Sequence, residues 1–210
     1  VKHDEAALQR AADWTGTRLS PPQLALLTAY ADWLIAEAIP AGAIGPAESS
    51  RIIDRHVADS LVFGAAWVEK PPETLIDVGT GVGLPGIPLA IAFPGTAVTL
   101  LDRSQRRIDL ARRVINILRL PNADTFHGPV EAHKIRFDAA VFRGSLPSSE
   151  AVVAARTLLK PGGVAVIGLH RGPQRPAGVD SSESGESLTI LETPDGVLDS
   201  PAWLLRMTVT

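Results

Sequence analysis

Two carboxylates flank a run of glycines in this chain. Leu75-Ile76-Asp77-Val78-Gly79-Thr80-Gly81-Val82-Gly83 is an apolar stretch entering a glycine-rich turn, and Val98-Thr99-Leu100-Leu101-Asp102 is a second apolar stretch ending in an acid. Glycine lets a backbone approach a ligand closely, and a carboxylate ending a second strand can accept hydrogen bonds from ribose hydroxyls. N–H groups opening the helix after such a turn favour an electron-rich ligand group. Asp77, Gly79, Gly81 and Asp102 therefore describe a cradle for a nucleoside-type ligand.

Cations stand where further strands end. Arg143 follows the apolar stretch Asp138–Phe142, and His170-Arg171 follow Val164–Leu169. Open α/β sheets bind ligands at the carboxyl ends of their strands, so all three are candidates for holding a substrate. Earlier in the chain Arg55 and Asp59, and likewise His56 and Ser60, are spaced i, i+4. That spacing gives a surface ion pair worth under about 1 kcal/mol or a helix capping the ligand cleft, and it supports both equally. His56 has no second His or Cys at ligand spacing, so no metal is expected.

The elements that would position these groups alternate in type. Ser20 before Pro21-Pro22 reads as a helix start, with Leu26, Leu27, Tyr30, Trp33 and Leu34 at helical spacing. Breakers from Pro40 to Pro46 follow, then a second helix over about 47–68. From Glu73 onward strands are expected at 74–78, 97–101, 123–126, 138–142 and 164–169. Helices are expected between them at about 84–93, 104–119 and 150–159, the last closed by a turn at Lys160-Pro161-Gly162-Gly163. This alternation signifies a mainly parallel sheet with helices on both faces. Residues 172–187, rich in Gly, Pro and Ser, read as a mobile loop, and 188–192 with 203–209 as a terminal antiparallel pair. The organisation expected is a helical extension over 1–70 packed on a core over 71–210.

Composition narrows the class. The 210 residues are 45% apolar and 20% charged, which suits a globular chain with one sizeable core. Absence of cysteine excludes disulfides and thiolate metal sites and permits the cytoplasm, where the protein is expected as a monomer. A net charge of −3 argues against non-specific coating of nucleic acid but not against a local basic face. One such face would be the helix carrying Arg103, Arg106, Arg107, Arg112, Arg113 and Arg119, read equally as a phosphate track or a solvated surface. Val78 to Leu101 lacks charge and is long enough to span a bilayer, yet its prolines and glycines fit strand, loop and helix inside a protein, and no membrane partner is expected. The first twenty residues are polar and lack the apolar core of a signal peptide.

Gly81-Val82-Gly83-Leu84-Pro85-Gly86 matches G-x-G-x-x-G, so a nicotinamide dinucleotide competes for the turn. Asp77 before the first glycine favours S-adenosylmethionine instead, because it would repel a pyrophosphate yet suit a charged amino-acid end. Pro85 removes an N–H where a dinucleotide fold packs helix on strand. Leu158-Leu159-Lys160-Pro161-Gly162-Gly163 also resembles the turn before strand five of class I methyltransferases.

Arg55-His56-x-x-Asp59-Ser60, Asp77-Val78-Gly79-Thr80-Gly81-x-Gly83-Leu84-Pro85-Gly86-Ile87-Pro88-Leu89 and Leu100-Leu101-Asp102 together resemble the glucose-inhibited division protein B family, over roughly 24–168. The resemblance implies a Rossmann-like class I methyltransferase with a seven-stranded, mainly parallel sheet and a small N-terminal helical extension. It implies S-adenosylmethionine as cofactor, ribosomal RNA of the small subunit as partner, and N7 of a guanine as acceptor. Cofactor contacts carried over by position fall on Gly79, Leu84, Val130, Glu131 and Arg143, with Asp102 on the ribose. Three segments depart from the family pattern: Phe142-Arg143-Gly144-Ser145 after strand four, His170-Arg171-Gly172 after strand five, and Ala43-Ile44-Gly45 before the Arg-His motif. These face the substrate side, which keeps a small-metabolite methyltransferase and a non-catalytic RNA or ribosome binder as alternatives.

Guanine N7 offers a lone pair and carries no proton, so its methylation needs no general base. Rate would come from alignment and exclusion of water. Arg143, His170 and Arg171 would then position the substrate. Arg143 could hold guanine O6, a phosphate or the methionine carboxylate, but not N7 itself.

Overall fold

A computed structural model describes residues 3–67, 70–176 and 186–210. Strands β1 (Thr74–Val78), β2 (Ala97–Asp102), β3 (Ala123–His127), β4 (Phe137–Phe142), β5 (Leu159–Arg171), β6 (Glu186–Glu192) and β7 (Ala202–Val209) form one sheet in the order β3-β2-β1-β4-β5-β7-β6. The first five pair in parallel, and β7 runs antiparallel to both β5 and β6. The expected seven-stranded α/β sheet and its terminal antiparallel pair are both present. The order switches direction at β1/β4, the place where such sheets open a ligand crevice.

Side-chain alternation splits the core between the two faces, as the period of two in a strand requires. Leu75, Val98, Leu100, Ala139, Val141 and Val166 face α4 (Gly86–Ala92) and α5 (Gln105–Leu118). Ile76, Val78, Leu101, Ala140, Phe142 and Ile167 face α6 (Ser148–Leu158). The N-terminal helices α1 (Glu5–Trp14) and α2 (Pro21–Trp33) bury Leu8, Leu27, Tyr30 and Trp33 in the same cluster as α4 and α5.

The structure differs from the sequence expectations in the helical part and at β5. Helix α1 went unread because its apolar face is mostly alanine; Ala7, Leu8, Ala11 and Ala12 are buried and Asp4 caps its start through the Ala7 N–H. The single helix expected over 47–68 is a composite: a 3-10 turn at Pro46–Arg51, a π-helical turn at Ile53–Ala58, α3 (Asp59–Leu61) and a 3-10 turn at Val62–Trp67. Strand β5 begins earlier than expected, at Leu159, because Phe137 pairs with Leu159 before the register shifts to Ala139 and Val164. The Lys160-Pro161-Gly162-Gly163 segment is thus an irregularity inside the strand, with Gly162 at φ 78°. Most of the loop expected over 172–187 lies outside the described residues. No helix among the described residues is long and apolar enough to cross a membrane.

Candidate active site

The glycine-rich turn after β1 is held from three sides. From above β2, the Leu101 carbonyl accepts both the Gly79 and Thr80 N–H groups, at 2.8 and 2.9 Å. From within, Asp77 Oδ2 accepts the Thr80 hydroxyl at 2.6 Å and the Gly86 N–H at 2.8 Å. From below, the Tyr30 hydroxyl of α2 donates to the Val82 carbonyl at 3.0 Å. Gly79 has φ 72°, and a Cβ there would lie 2.3 Å from Ser145 Cβ, so the β4 loop packs directly on the turn.

Asp77 is fully buried. Burial pushes its carboxyl up to about 7, against the opposing pull of the Thr80 hydroxyl, the Gly86 N–H and the Arg143 charge. Its Oδ1 is buried with no hydrogen-bond partner. The helix-start N–H groups expected to face a ligand are instead answered inside the protein: Gly86 by Asp77, Ile87 by the Gly83 carbonyl at 2.8 Å and Leu89 by the Pro85 carbonyl at 3.2 Å. Proline at 88 has no N–H to offer. The electron-rich group expected there would find little to bind.

Asp102 ends β2 with only 3% of its surface exposed. Its Oδ2 accepts the Gly81 N–H at 3.0 Å and its Oδ1 the Ser104 N–H at 2.9 Å. A carboxylate has about four acceptor sites, so capacity remains. Beside it Gly81, at φ 61°, has no atom within 4 Å of where a Cβ would stand. Val130 and Glu131 lie on a 3-10 turn beyond β3, with Val130 packed on the α6-side core and Glu131 exposed. Leu84 is buried at the base of the turn.

The second cluster lies at the ends of β4 and β5. Arg143 donates from Nε to Asp59 Oδ2 at 2.9 Å and from Nη2 to the Arg55 carbonyl at 2.8 Å. Arg171 donates from Nη1 to Asp59 Oδ1 at 2.7 Å, from Nη2 to Asp54 Oδ2 at 3.3 Å, and also contacts Asp199. Arg171 was expected among the substrate-positioning groups or on a solvated loop. Three aspartates instead commit its guanidinium within the protein. Likewise Asp59 does not form the surface pair with Arg55 that i, i+4 spacing suggests. The π-helical turn shifts the helical register, and Asp59 hydrogen-bonds five residues back to the Asp54 carbonyl. Asp54 and Asp59 thereby come onto one side and share Arg171.

A cavity of about 310 Å³ opens here, lined by Asp59, Phe63, Arg143, His170, Arg171 and Trp203 among others. His170 is exposed at its rim. Trp203 of β7 is fixed by its indole N–H donating to the Gly172 carbonyl at 2.8 Å. His56 lies apart from the cavity lining, bonded through Nε2 to Glu48 at 3.2 Å, with burial and then the nearby Arg143 charge lowering its pKa. Tyr30, Phe63, Asp54, Asp199 and Trp203 escaped the sequence reading. Tyr30 was visible only as one apolar member of a helical stripe, and nothing in the sequence signals that Asp199, far along the chain, meets Asp54.

The arginines of α5 are largely engaged nearby. Arg106 contacts the Ala41 carbonyl, Arg113 pairs with Glu37 at 3.1 Å, Arg112 with Asp109 at 3.3 Å, and Arg107 stands 3.7 Å from Asp102. This helix uses much of its positive charge on the π-helical turn Leu34–Ala38 and the residues after it, which follow α2, and on its own neighbours.

The family model described as rRNA small subunit methyltransferase G matches residues 23–175. A ribosomal RNA small subunit methyltransferase G of Chlorobaculum tepidum is 36% identical over 152 residues, spanning 72% of this chain and 70% of that protein. Its namesake in Chlorobium luteolum is 36% identical over 168 residues, spanning 78% and 71%. Among solved structures, TrmN from Thermus thermophilus matches with a TM-score of 0.55 at 17% identity, covering 72% of this chain and 49% of that one. The (4+2)-cyclase SpnF matches at 0.56 and 16% identity, covering 73% and 80%. At these identities the structural likenesses establish the fold alone.

Proposed function

The chain belongs to the rRNA small subunit methyltransferase G family, also called the glucose-inhibited division protein B family, and on that premise we propose that it transfers a methyl group from S-adenosylmethionine to N7 of a guanine in small-subunit ribosomal RNA. The observation that carries the cofactor reading is the open space at Gly81 beside the Asp102 carboxylate. Two orphaned polar atoms, Asp77 Oδ1 and Ser145 Oγ, lie buried around the same turn. A Cβ-free backbone, a carboxylate with spare acceptor capacity and unanswered polar atoms fit a nucleoside carrying an amino-acid end.

Bound there, S-adenosylmethionine supplies an electrophilic methyl group on a sulfonium. Asp102 would accept from the ribose hydroxyls, Gly79, Gly81 and Leu84 would line the turn, and Val130 with Glu131 would meet the adenine. Asp77 shapes the turn from inside, and its unpaired Oδ1 is the atom through which it would sense the cofactor's ammonium group. Arg143 would hold guanine O6 or a phosphate, leaving N7 free, and His170 would contact the RNA from the rim. No residue need remove a proton, because N7 carries none. The chain's task is alignment and exclusion of water, to which the buried walls of Phe63 and Trp203 contribute.

The test is incubation with methyl-labelled cofactor and purified small ribosomal subunits, followed by nucleoside analysis. Label in 7-methylguanosine is the expected result. Label confined to small molecules would assign a metabolite substrate, and RNA binding without any labelled product would make the chain a binder.

A further inference from the structure

Asp59 belongs to the helical N-terminal part, yet its two oxygens are divided between the ends of two different strands. Oδ2 holds Arg143 after β4 and Oδ1 holds Arg171 at the end of β5. The Asp59 side chain is only 10% exposed, and those of Arg143 and Arg171 are 22% and 13% exposed, so water screens these contacts poorly. We infer that Asp59 is a positioning residue that fixes the guanidinium planes of Arg143 and Arg171 at the wall of the acceptor cavity.

A guanidinium is a planar fork of five N–H donors. In Arg143 the Nε and Nη2 donors are both turned to the helical part, to Asp59 and the Arg55 carbonyl. Two bonds on one edge define the plane, and the remaining N–H donors, both of Nη1 and one of Nη2, lie on the side chain that lines the cavity. Arg171 is braced from its other side by Asp54 and Asp199, so it cannot swing away when Asp59 pulls on Arg143. Without the carboxylate between them, two poorly solvated cations would face each other and separate. The short side chain matters too. The π-helical turn brings Asp59 close, and a longer acid would need more freedom to reach both partners.

What the cavity holds rests on the methyl-transfer reading; the clamp itself does not. The experiment therefore reads both. In nitrogen-15 NMR of the whole chain, Arg143 and Arg171 should give resolved, slowly rotating guanidinium signals. Asp59→Asn should collapse them while the backbone amide pattern persists. In the labelled-methyl assay Asp59→Asn should lower kcat on small subunits at least tenfold, leaving the Kd for S-adenosylhomocysteine within twofold. Asp59→Asn combined with Arg143→Gln should be no slower than Arg143→Gln alone. Arg143→Lys keeps the charge but cannot bridge Asp59 and the Arg55 carbonyl, and it should lose turnover similarly, which covers an Asn variant that does not fold. Unchanged guanidinium signals, multiplicative losses, wild-type turnover in Arg143→Lys, or a fall in S-adenosylhomocysteine affinity parallel to kcat would overturn the inference. Should the native protein label no ribosomal RNA while the guanidinium signals respond as stated, the substrate reading fails and the clamp stands.

Discussion

Gly81, in the glycine-rich turn, and Asp77, on β1 four residues before it, answer to opposite demands. Gly81 needs a left-handed backbone but has empty space around its missing side chain. Gly81→Ala should therefore cost only the strain of that conformation, roughly 1–2 kcal/mol, while weakening S-adenosylhomocysteine binding at least tenfold. Denaturant melts and calorimetric titration of the same variant separate the two effects; equal affinity would remove the turn from the binding site. Asp77 is instead buried from water, which raises its carboxyl pKa to about 7 in the folded chain from 3.8. Between those values the unfolded state binds fewer protons, so this group makes stability fall as pH rises from about 4 to 7, by at most about 4 kcal/mol. Asp77→Asn should remove that slope. Urea midpoints of both proteins at pH 4, 5.5 and 7.5 test it, and parallel pH curves would refute it.

Helix α5 shows how an element can look like a binding surface and serve as a joint. Its arginines reach Ala41, Glu37 and Asp109 rather than standing clear. Arg113→Ala should thus change stability by under about 1 kcal/mol, as exposed ion pairs do, and leave the salt dependence of RNA binding untouched. Were Arg113 on a phosphate, the slope of log K against log salt would shrink by about 0.9. The sequence made the strands legible because apolar runs bounded by glycine, proline and acids have one reading, and β1 falls on Thr74–Val78 as expected. It made the glycine turn and the acid at β2 legible for the same reason: local backbone demands write themselves into residue type. Hidden were features set by tertiary partners. The π-helical turn at Ile53–Ala58 puts Asp54 and Asp59 together on Arg171, a residue more than a hundred positions away. Helical spacing, assuming a regular α-helix, paired Asp59 with the wrong arginine.

Taken whole, the molecule offers its crevice on a frame already closed around it. The helical part and the sheet share one buried cluster, so a cofactor meets a largely formed site. S-adenosylhomocysteine at about one hundred times its Kd should add about 2.7 kcal/mol of stability, raising Tm by roughly 5–10 °C for a chain of this size. NAD should leave Tm unchanged. A thermal shift with NAD and none with S-adenosylhomocysteine would reverse the cofactor assignment.

Strand β7 lies between β5 and β6 in the sheet although it follows both in the chain, and Trp203 and Leu204 on it help wall the cavity. During synthesis the parallel strands leave the ribosome first, with a gap beside β5 that β7, made after both its neighbours, fills. A nascent chain therefore carries the glycine turn long before it owns a finished acceptor pocket.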